Sequence, residues 1–197
     1  IASFINMAIE RSSISIFLEG PSRSGKTTLL KALESPEVAV IYKDWPNNLV
    51  NPTIEFFLER DEDKLARARR APQATKLVDR GYLSTMVFYS VLEEQRGVSS
   101  LPVYKWFINE IGKKLYRPDH YVFIDVPTEV TLDRYNRNGG LVYDNNMWVK
   151  YPKRIEHWYS RLLSAFEPTT PIHTIDGSRS PKTVLEDFKN LIDTIKR

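Results

Sequence analysis

The chain has 197 residues, of which 42% are hydrophobic and 12% aromatic, and it contains no cysteine. This length suits one domain with insertions, here a single domain over 1–197, the apolar content excludes intrinsic disorder, and the missing cysteine excludes disulfide scaffolds, thiol nucleophiles and Cys-ligated metal sites. Lys and Arg number 28 against 25 Asp and Glu, a net charge of +3 that is too mild for a nucleic-acid-coating protein and suits an enzyme handling small polyanions. No apolar run approaches the ~18 residues that span a bilayer. The N-terminus also lacks a basic region followed by a long apolar stretch, so a soluble, cytoplasmic protein with no membrane or nucleic-acid partner is expected. Met7 is a candidate start.

Short β-rich runs alternate with helical periodicity along the chain, the pattern of βαβ units around a parallel sheet. The first predicted strand, 13–18, leads into Gly20-Pro21-Ser22-Arg23-Ser24-Gly25-Lys26-Thr27, and a helix carrying Leu29, Leu30 and Leu33 follows. This is G-x-x-x-x-G-K-[ST] in its proper strand-to-helix setting. Small residues let backbone N–H groups curl around a β-phosphate, and the helix N-terminus adds its positive dipole end. Lys26 would reach the β- and γ-phosphates, the Thr27 hydroxyl would ligate Mg²⁺, and Gly20, Ser22, Ser24, Gly25 and Thr28 complete the ATP cradle. Arg23 would lie along the phosphates as an arginine finger supplied in cis. The alternative for Arg23 is a solvent-facing side chain.

A second strand, 38–42, ends in Lys43-Asp44-Trp45-Pro46. The helix expected over 53–70 carries Asp61, Lys64, Arg67, Arg69 and Arg70, a stretch able to supply a cation to an acceptor phosphate, while the alternative for its Arg67–Arg70 cluster is a solvated face paired with Glu59, Glu62 and Asp63. The strand 75–78 runs into Asp79-Arg80 at its C-terminal end, the edge where open parallel sheets bind ligands, and Asp79 is placed as a carboxylate on the metal, directly or through water, with a plain helix cap as the alternative. Helices are then expected at 83–95 and 102–115, a strand at 120–126 and a helix at 129–136. Arg134 and Arg137 lie three apart on one helix face ahead of Asn138-Gly139-Gly140. On a segment closing over ATP, such arginines cancel charge on the phosphoryl oxygens and help exclude water. The Gly- and Asn-rich stretch 138–150 is a candidate mobile segment, with a lid over about 134–154. A helix at 150–166, a strand at 172–175 and a helix at 181–195 close the chain. Trp148, Tyr151, Trp158 and Tyr159 read as core aromatics rather than base platforms. His120, His157 and His173 lack metal spacing. The fold expected is a three-layer α/β P-loop sandwich with a five-stranded parallel sheet and a small helical lid.

These pieces resemble the thymidylate kinase and deoxynucleoside kinase group of P-loop kinases. The resemblance rests on Leu18-Glu19-Gly20 before the loop, Asp79-Arg80 with Ser84 and Phe88 or Tyr89, the strand from Pro118 to Val126, and Glu129-Val130 with Arg134 and Arg137. Ile175-Asp176-Gly177-Ser178 through Val184 extends it, so that it covers most of 13–195. It implies an ATP- and Mg²⁺-dependent phosphotransferase acting on a nucleoside or nucleotide, and pairing into a homodimer through helices beside the sheet. Arg23 looks like the loop arginine of one thymidylate kinase subgroup. That subgroup carries Asp where this chain has Ser22, and an Arg-Glu-Pro turn where it has Lys43-Asp44-Trp45-Pro46.

Two acceptors are compatible with the pattern. A hydroxyl needs a carboxylate base, for which Asp44 is available, whereas a monophosphate already offers an anionic oxygen and needs cations such as Arg80. The loop arginine favours the monophosphate. A kinase of another hydroxyl, on an antibiotic or a polynucleotide end, shares the same chemistry. A P-loop switch or motor is disfavoured, because neither Asn-Lys-x-Asp nor Leu-Ser-Gly-Gly occurs.

Overall fold

The computed structural model describes residues 13–43, 52–137 and 147–197. Five strands, β1 (Ile14–Glu19), β2 (Val38–Ile41), β3 (Thr75–Asp79), β4 (His120–Asp125) and β5 (Ile172–Asp176), form one parallel sheet in the order β2-β3-β1-β4-β5. Successive side chains of a strand point to opposite faces, so the apolar β1 feeds two cores. Ile16 and Leu18 join Leu77, Val122 and Ile124 on one side, while Phe17 joins Val78 and Tyr121 on the other. Two helices, α1 (Lys26–Leu33) and α8 (Pro181–Ile195), supply Leu29, Leu30, Val184, Phe188 and Ile192 to the first core. The second lies under α2 (Ile54–Arg70), α3 (Tyr82–Arg96), α4 (Leu101–Glu110) and α7 (Pro152–Phe166). Two further helices, α5 (Thr128–Arg137) and α6 (Met147–Lys150), lie between β4 and α7 in the chain. Among the described residues no helix is long and apolar enough to cross a membrane.

The three layers and the parallel sheet are those expected, and each strand lies within one residue of its expected bounds at either end. Two helices differ for local reasons. The stretch expected to be helical over 102–115 stops at Glu110, because Gly112 adopts a left-handed φ of 84° and turns the chain back so that its N–H reaches the Leu115 carbonyl at 2.9 Å. The helix expected over 150–166 divides at Tyr151, whose φ of −129° and ψ of 51° are non-helical. Pro152 follows, and a proline disfavours the helical region for the residue before it.

The topology places chemistry at the C-terminal edge. After β1 the chain builds β2 and β3 to one side, then crosses to β4 and β5 on the other, leaving a crevice beyond β1 where neighbouring connections diverge. Gly81, which links β3 to α3, lies tightly against β1. A Cβ there would fall 2.6 Å from Cδ2 and 2.9 Å from Cε2 of Phe17, a ring that is wholly buried. Gly81→Ala is therefore expected to destabilise the protein by about 1–3 kcal/mol through overpacking. At this chain length that lowers Tm by roughly 2–4 °C per kcal/mol, and an unchanged Tm by calorimetry would refute the contact.

Candidate functional site

The loop between β1 and α1 has the backbone its sequence demands. Gly20 has φ 141° and Gly25, at the α1 N-cap, has φ 92°, values that L side chains rarely adopt. A Cβ on Gly20 would also fall 2.6 Å from the Ile124 carbonyl oxygen. Lys26 is buried, and its ammonium donates to the carbonyls of Gly20 at 3.0 Å and Pro21 at 2.7 Å and to Ser24 Oγ at 2.6 Å. Its pKa is held well below the usual 10.5, first by desolvation and then by repulsion from Arg80, with Asp79 and Glu19 opposing. Ser24 is buried and Ser22 half-buried, while Gly25, Thr27 and Thr28 are exposed. Arg23 is exposed, takes a left-handed φ of 60°, and lays its guanidinium over the Tyr135 ring at 5.6 Å.

Beside the loop, Glu19 is completely buried. Its Oε1 accepts from Gly81 N at 2.7 Å, and its Oε2 accepts from Ser84 Oγ at 2.5 Å and Tyr159 OH at 3.3 Å. Burial raises its pKa, with the hydrogen bonds from Ser84 and Gly81 and the charges of Arg80 and Lys64 acting the other way. Arg80 follows β3 with a left-handed φ of 59° and is nearly buried. Its Nη1 donates to Ser84 Oγ at 3.1 Å and Tyr159 OH at 2.7 Å, and its Cζ lies over the Trp148 ring, 4.3 Å from the centroid. Neither Nε nor Nη2 of Arg80 donates to a described residue, which leaves one edge of the fork for an anion. Asp79 ends β3, buried at the same edge, and its charge is felt at Lys26.

The basic stretch of α2 divides by helix face. Phe57, Asp61, Lys64, Leu65 and Ala68 form its buried stripe, so Asp61 and Lys64 are wholly interior. Asp61 Oδ1 pairs with Arg60 and with Lys64, each at 3.0 Å, and its Oδ2 accepts from Thr85 at 2.6 Å. Lys64 also donates to the Arg80 carbonyl at 2.5 Å and approaches that of Asp79 at 3.4 Å, pinning the backbone beneath both residues. Asp61 is held below the usual carboxylate range because the charges of Lys64 and Arg60, aided by the Thr85 hydrogen bond, outweigh the largest single effect, desolvation. Arg67 pairs with Asp63 at 3.0 Å and Arg69 donates to the Leu115 carbonyl at 3.2 Å, while Arg70 is exposed.

The two arginines of α5 diverge. Arg134 donates to the Gly177 carbonyl at 2.8 Å and, at 3.4 Å, to that of Arg23, tying α5 to the phosphate loop and to the turn after β5. Arg137 is 77% exposed and pairs with Asp133 one turn back on the same helix. Asp44 and the stretch 138–146 lie outside the described residues. The structure thus gathers Arg23, Lys26, Asp79, Arg80 and Arg134 around the loop and leaves Arg137 outward. The sequence names Asp61 and Lys64 only within the charged stretch of α2, and Trp148 and Tyr159 only as core aromatics, without bringing any of them beside Arg80. For three of these a signal existed: Asp61 and Lys64 share the apolar stripe of α2, and Tyr159 shares that of α7 with Ile155, Leu162, Leu163 and Phe166.

Removing Lys64 strands the Asp61 carboxylate with Arg60 and Thr85 alone. Lys64→Met is expected to cost about 3 kcal/mol, the lower end for a broken buried pair, and adding Asp61→Asn should restore part of it. Urea denaturation reads both, and equal midpoints for wild type and the single variant would contradict the pairing.

Comparison with known proteins agrees with this geometry. The deoxynucleoside kinase family model matches residues 41–197. The thymidylate kinase of Leuconostoc mesenteroides is 26% identical over 211 residues, covering 92% of this chain and 96% of that protein. The thymidylate kinase of Bacillus mycoides is 22% identical over 201 residues, with 90% and 96% covered. In fold, the deoxyadenosine kinase from M. mycoides with dCMP and dCDP superposes with a TM-score of 0.72 at 18% identity, over 92% of this chain and all of that one. The same kinase with dATP gives 0.70 at 17%, over 91% and 100%. The family match leaves out the phosphate loop, which carries its own signature, and together they close the question of class: the chain belongs to the deoxynucleoside kinase family and is a nucleoside or nucleotide kinase.

Proposed function

We propose that this kinase moves the γ-phosphate of ATP to a nucleoside monophosphate of thymidylate type. The observation that carries the reading is the open Nε and Nη2 edge of Arg80, beside a loop whose lysine is already turned inward. The surrounding charge supports it. Lys43, the residue after β2, is pushed down from 10.5 to about 8 by desolvation first and then by repulsion from Arg80 and Arg60. The residue keeps an exposed surface, and the repulsion it feels from Arg80 and Arg60 marks a crowding of cations at that edge. Such crowding stabilises an anion at that edge and has no counterpart in the needs of a neutral sugar hydroxyl.

In this reading Gly20, Ser22, Ser24, Gly25, Lys26, Thr27 and Thr28 cradle ATP, and Lys26 exchanges its loop carbonyls for phosphate oxygens. Arg80 holds the acceptor phosphate, and Arg23, which borders α5, neutralises the group in transfer. Arg134 positions the loop, and Arg137 comes into play only if its helix end closes. An acceptor phosphate oxygen forms the new bond to the γ-phosphorus while the bond to the β,γ-bridging oxygen breaks and ADP departs. No base is required. Asp79 and the Thr27 hydroxyl fit Mg²⁺, because one carboxylate and one hydroxyl form the all-oxygen, incomplete set that phosphates and water complete. The ion would supply charge neutralisation between the phosphates. Two copies would pair through α4, which leaves Leu101 and Ile108 exposed, in the cytoplasm.

The family match keeps a nucleoside hydroxyl as the second reading, with Asp44 as base. Incubation with ATP, Mg²⁺ and a panel of nucleosides and monophosphates separates the two. Diphosphate formation is expected from a monophosphate, with Lys26→Ala lowering kcat/KM roughly 10²–10³-fold, the scale of losing one preorganised charge stabiliser. Phosphorylation of nucleosides alone, abolished by Asp44→Asn, would replace the first reading with the second.

The pH profile gives a further check. Lys43 is charged below about 8 and loses its charge as pH rises through that value, so the acceptor KM should climb between pH 7 and 9. Lys43→Met should flatten that rise, and an identical rise in the variant would remove Lys43 from the site.

A further inference from the structure

Tyr159 lies in the middle of α7 with its side chain wholly buried, and its hydroxyl touches both halves of the proposed reaction. On the acceptor side it accepts from Arg80 Nη1 at 2.7 Å. On the donor side it lies 3.3 Å from the carbonyl of Gly20, the first residue of the phosphate loop. That same carbonyl takes the Lys26 ammonium at 3.0 Å. One backbone oxygen therefore receives both the loop lysine and the phenol that holds Arg80.

The phenol has one proton to place. Burial pushes the Tyr159 hydroxyl up, with the charge of Arg80 acting against that shift and the charge of Glu19 adding to it, so the proton is kept. Ser84 commits its own proton to Glu19 Oε2 at 2.5 Å. The Tyr159 proton is left with three acceptors, Ser84 Oγ at 2.8 Å, Glu19 Oε2 at 3.3 Å and Gly20 O at 3.3 Å. While Lys26 occupies the Gly20 oxygen, the phenol shares it with a charged and stronger donor. Once Lys26 turns to phosphate oxygens, that carbonyl is short of a donor inside the protein, and the phenol is the group within reach to supply one.

We propose that Tyr159 is a positioning residue that couples the donor subsite to the acceptor subsite: departure of Lys26 from the Gly20 carbonyl hands that oxygen to the Tyr159 hydroxyl, which then fixes Arg80 for the acceptor. The inference rests on the kinase reading above and adds how one subsite answers to occupancy of the other. With its proton committed to Gly20, the phenol presents its oxygen to Arg80 Nη1 in one orientation, and the Nε and Nη2 edge is set with it. Such coupling is reciprocal, so a bound acceptor favours the same turn of Lys26 toward ATP. Tyr159 takes no part in bond making.

The test uses the full chain as wild type, Tyr159→Phe and Ser84→Ala. Each is titrated by calorimetry with dTMP, or with whichever nucleoside or monophosphate wild type phosphorylates, without and with a saturating β,γ-imido analogue of ATP and Mg²⁺. The analogue should tighten wild-type acceptor binding about tenfold, within the usual range for coupled sites. Tyr159→Phe keeps the ring and removes the proton, and should bring that ratio close to one. Ser84→Ala takes away the other Arg80 Nη1 partner, which has no bond to Gly20, so acceptor affinity should fall while the ratio persists. A merely structural role for Tyr159 would lower Tm or weaken both ligands and leave the ratio as it was. The proposal is overturned if wild type shows no tightening, if Tyr159→Phe retains it, or if Ser84→Ala loses it. Each of those results leaves wild-type turnover, and hence the kinase reading, intact. If wild type phosphorylates no nucleoside or nucleotide, the kinase reading fails and the coupling fails with it.

Discussion

A carboxylate without water around it must be surrounded by donors, and Glu19 draws its donors from separate parts of the chain. The Gly81 N–H and the Ser84 hydroxyl come from the start of α3, and the Tyr159 hydroxyl comes from the middle of α7. Glu19 is the last residue of the central strand, one step before the phosphate loop. Satisfying this one side chain therefore fixes the loop's origin, the connection after β3 and α7. Any displacement of these elements leaves a buried polar group unpaired, at a cost of roughly 1–3 kcal/mol or more for a charged one.

A second buried centre performs the same service one strand over. Lys64 spends its ammonium on Asp61 and on the carbonyls of Asp79 and Arg80. A lysine in that position does not face solvent; it immobilises the backbone from which the Asp79 carboxylate and the Arg80 guanidinium project. The two centres meet at Arg80, whose carbonyl answers to Lys64 and whose side chain answers to Ser84 and Tyr159. Phosphoryl transfer by positioning and electrostatics depends on that rigidity, since groups held in place need not reorganise when charge moves.

The strands and the phosphate loop were legible because each is written locally: β-rich runs between turn residues, and a glycine-bounded loop of fixed spacing. The ends of two helices were not, because Gly112 and Pro152 act through backbone angles that an apolar period does not reveal. Lys26 is legible from the phosphate-loop motif and Arg80 from its place at the end of an apolar strand. Glu19 entered only as part of a resemblance, and its burial depends on residues 62 to 140 positions away. The charged stretch of α2 looked uniform as a list of residue types. Only its phase against Phe57, Leu65 and Ala68 separates the interior Asp61 and Lys64 from the outward Arg70. Arg134 and Arg137 share a spacing but not a fate, because the carbonyls that capture Arg134 come from the loop and from the turn after β5, both distant in sequence.

Arg23 and Arg80 are the non-glycine residues with left-handed φ among those described. A chain built for backbone comfort would place glycine at both, since an L side chain in that region costs of order 1 kcal/mol or more. Glycine at either point would relax the fold while deleting a guanidinium, so under the proposed function durability and chemistry pull in opposite directions. Raising the thermal tolerance of this kinase is for that reason a matter for positions outside the phosphate edge, where a better cap or a shorter loop removes no charge.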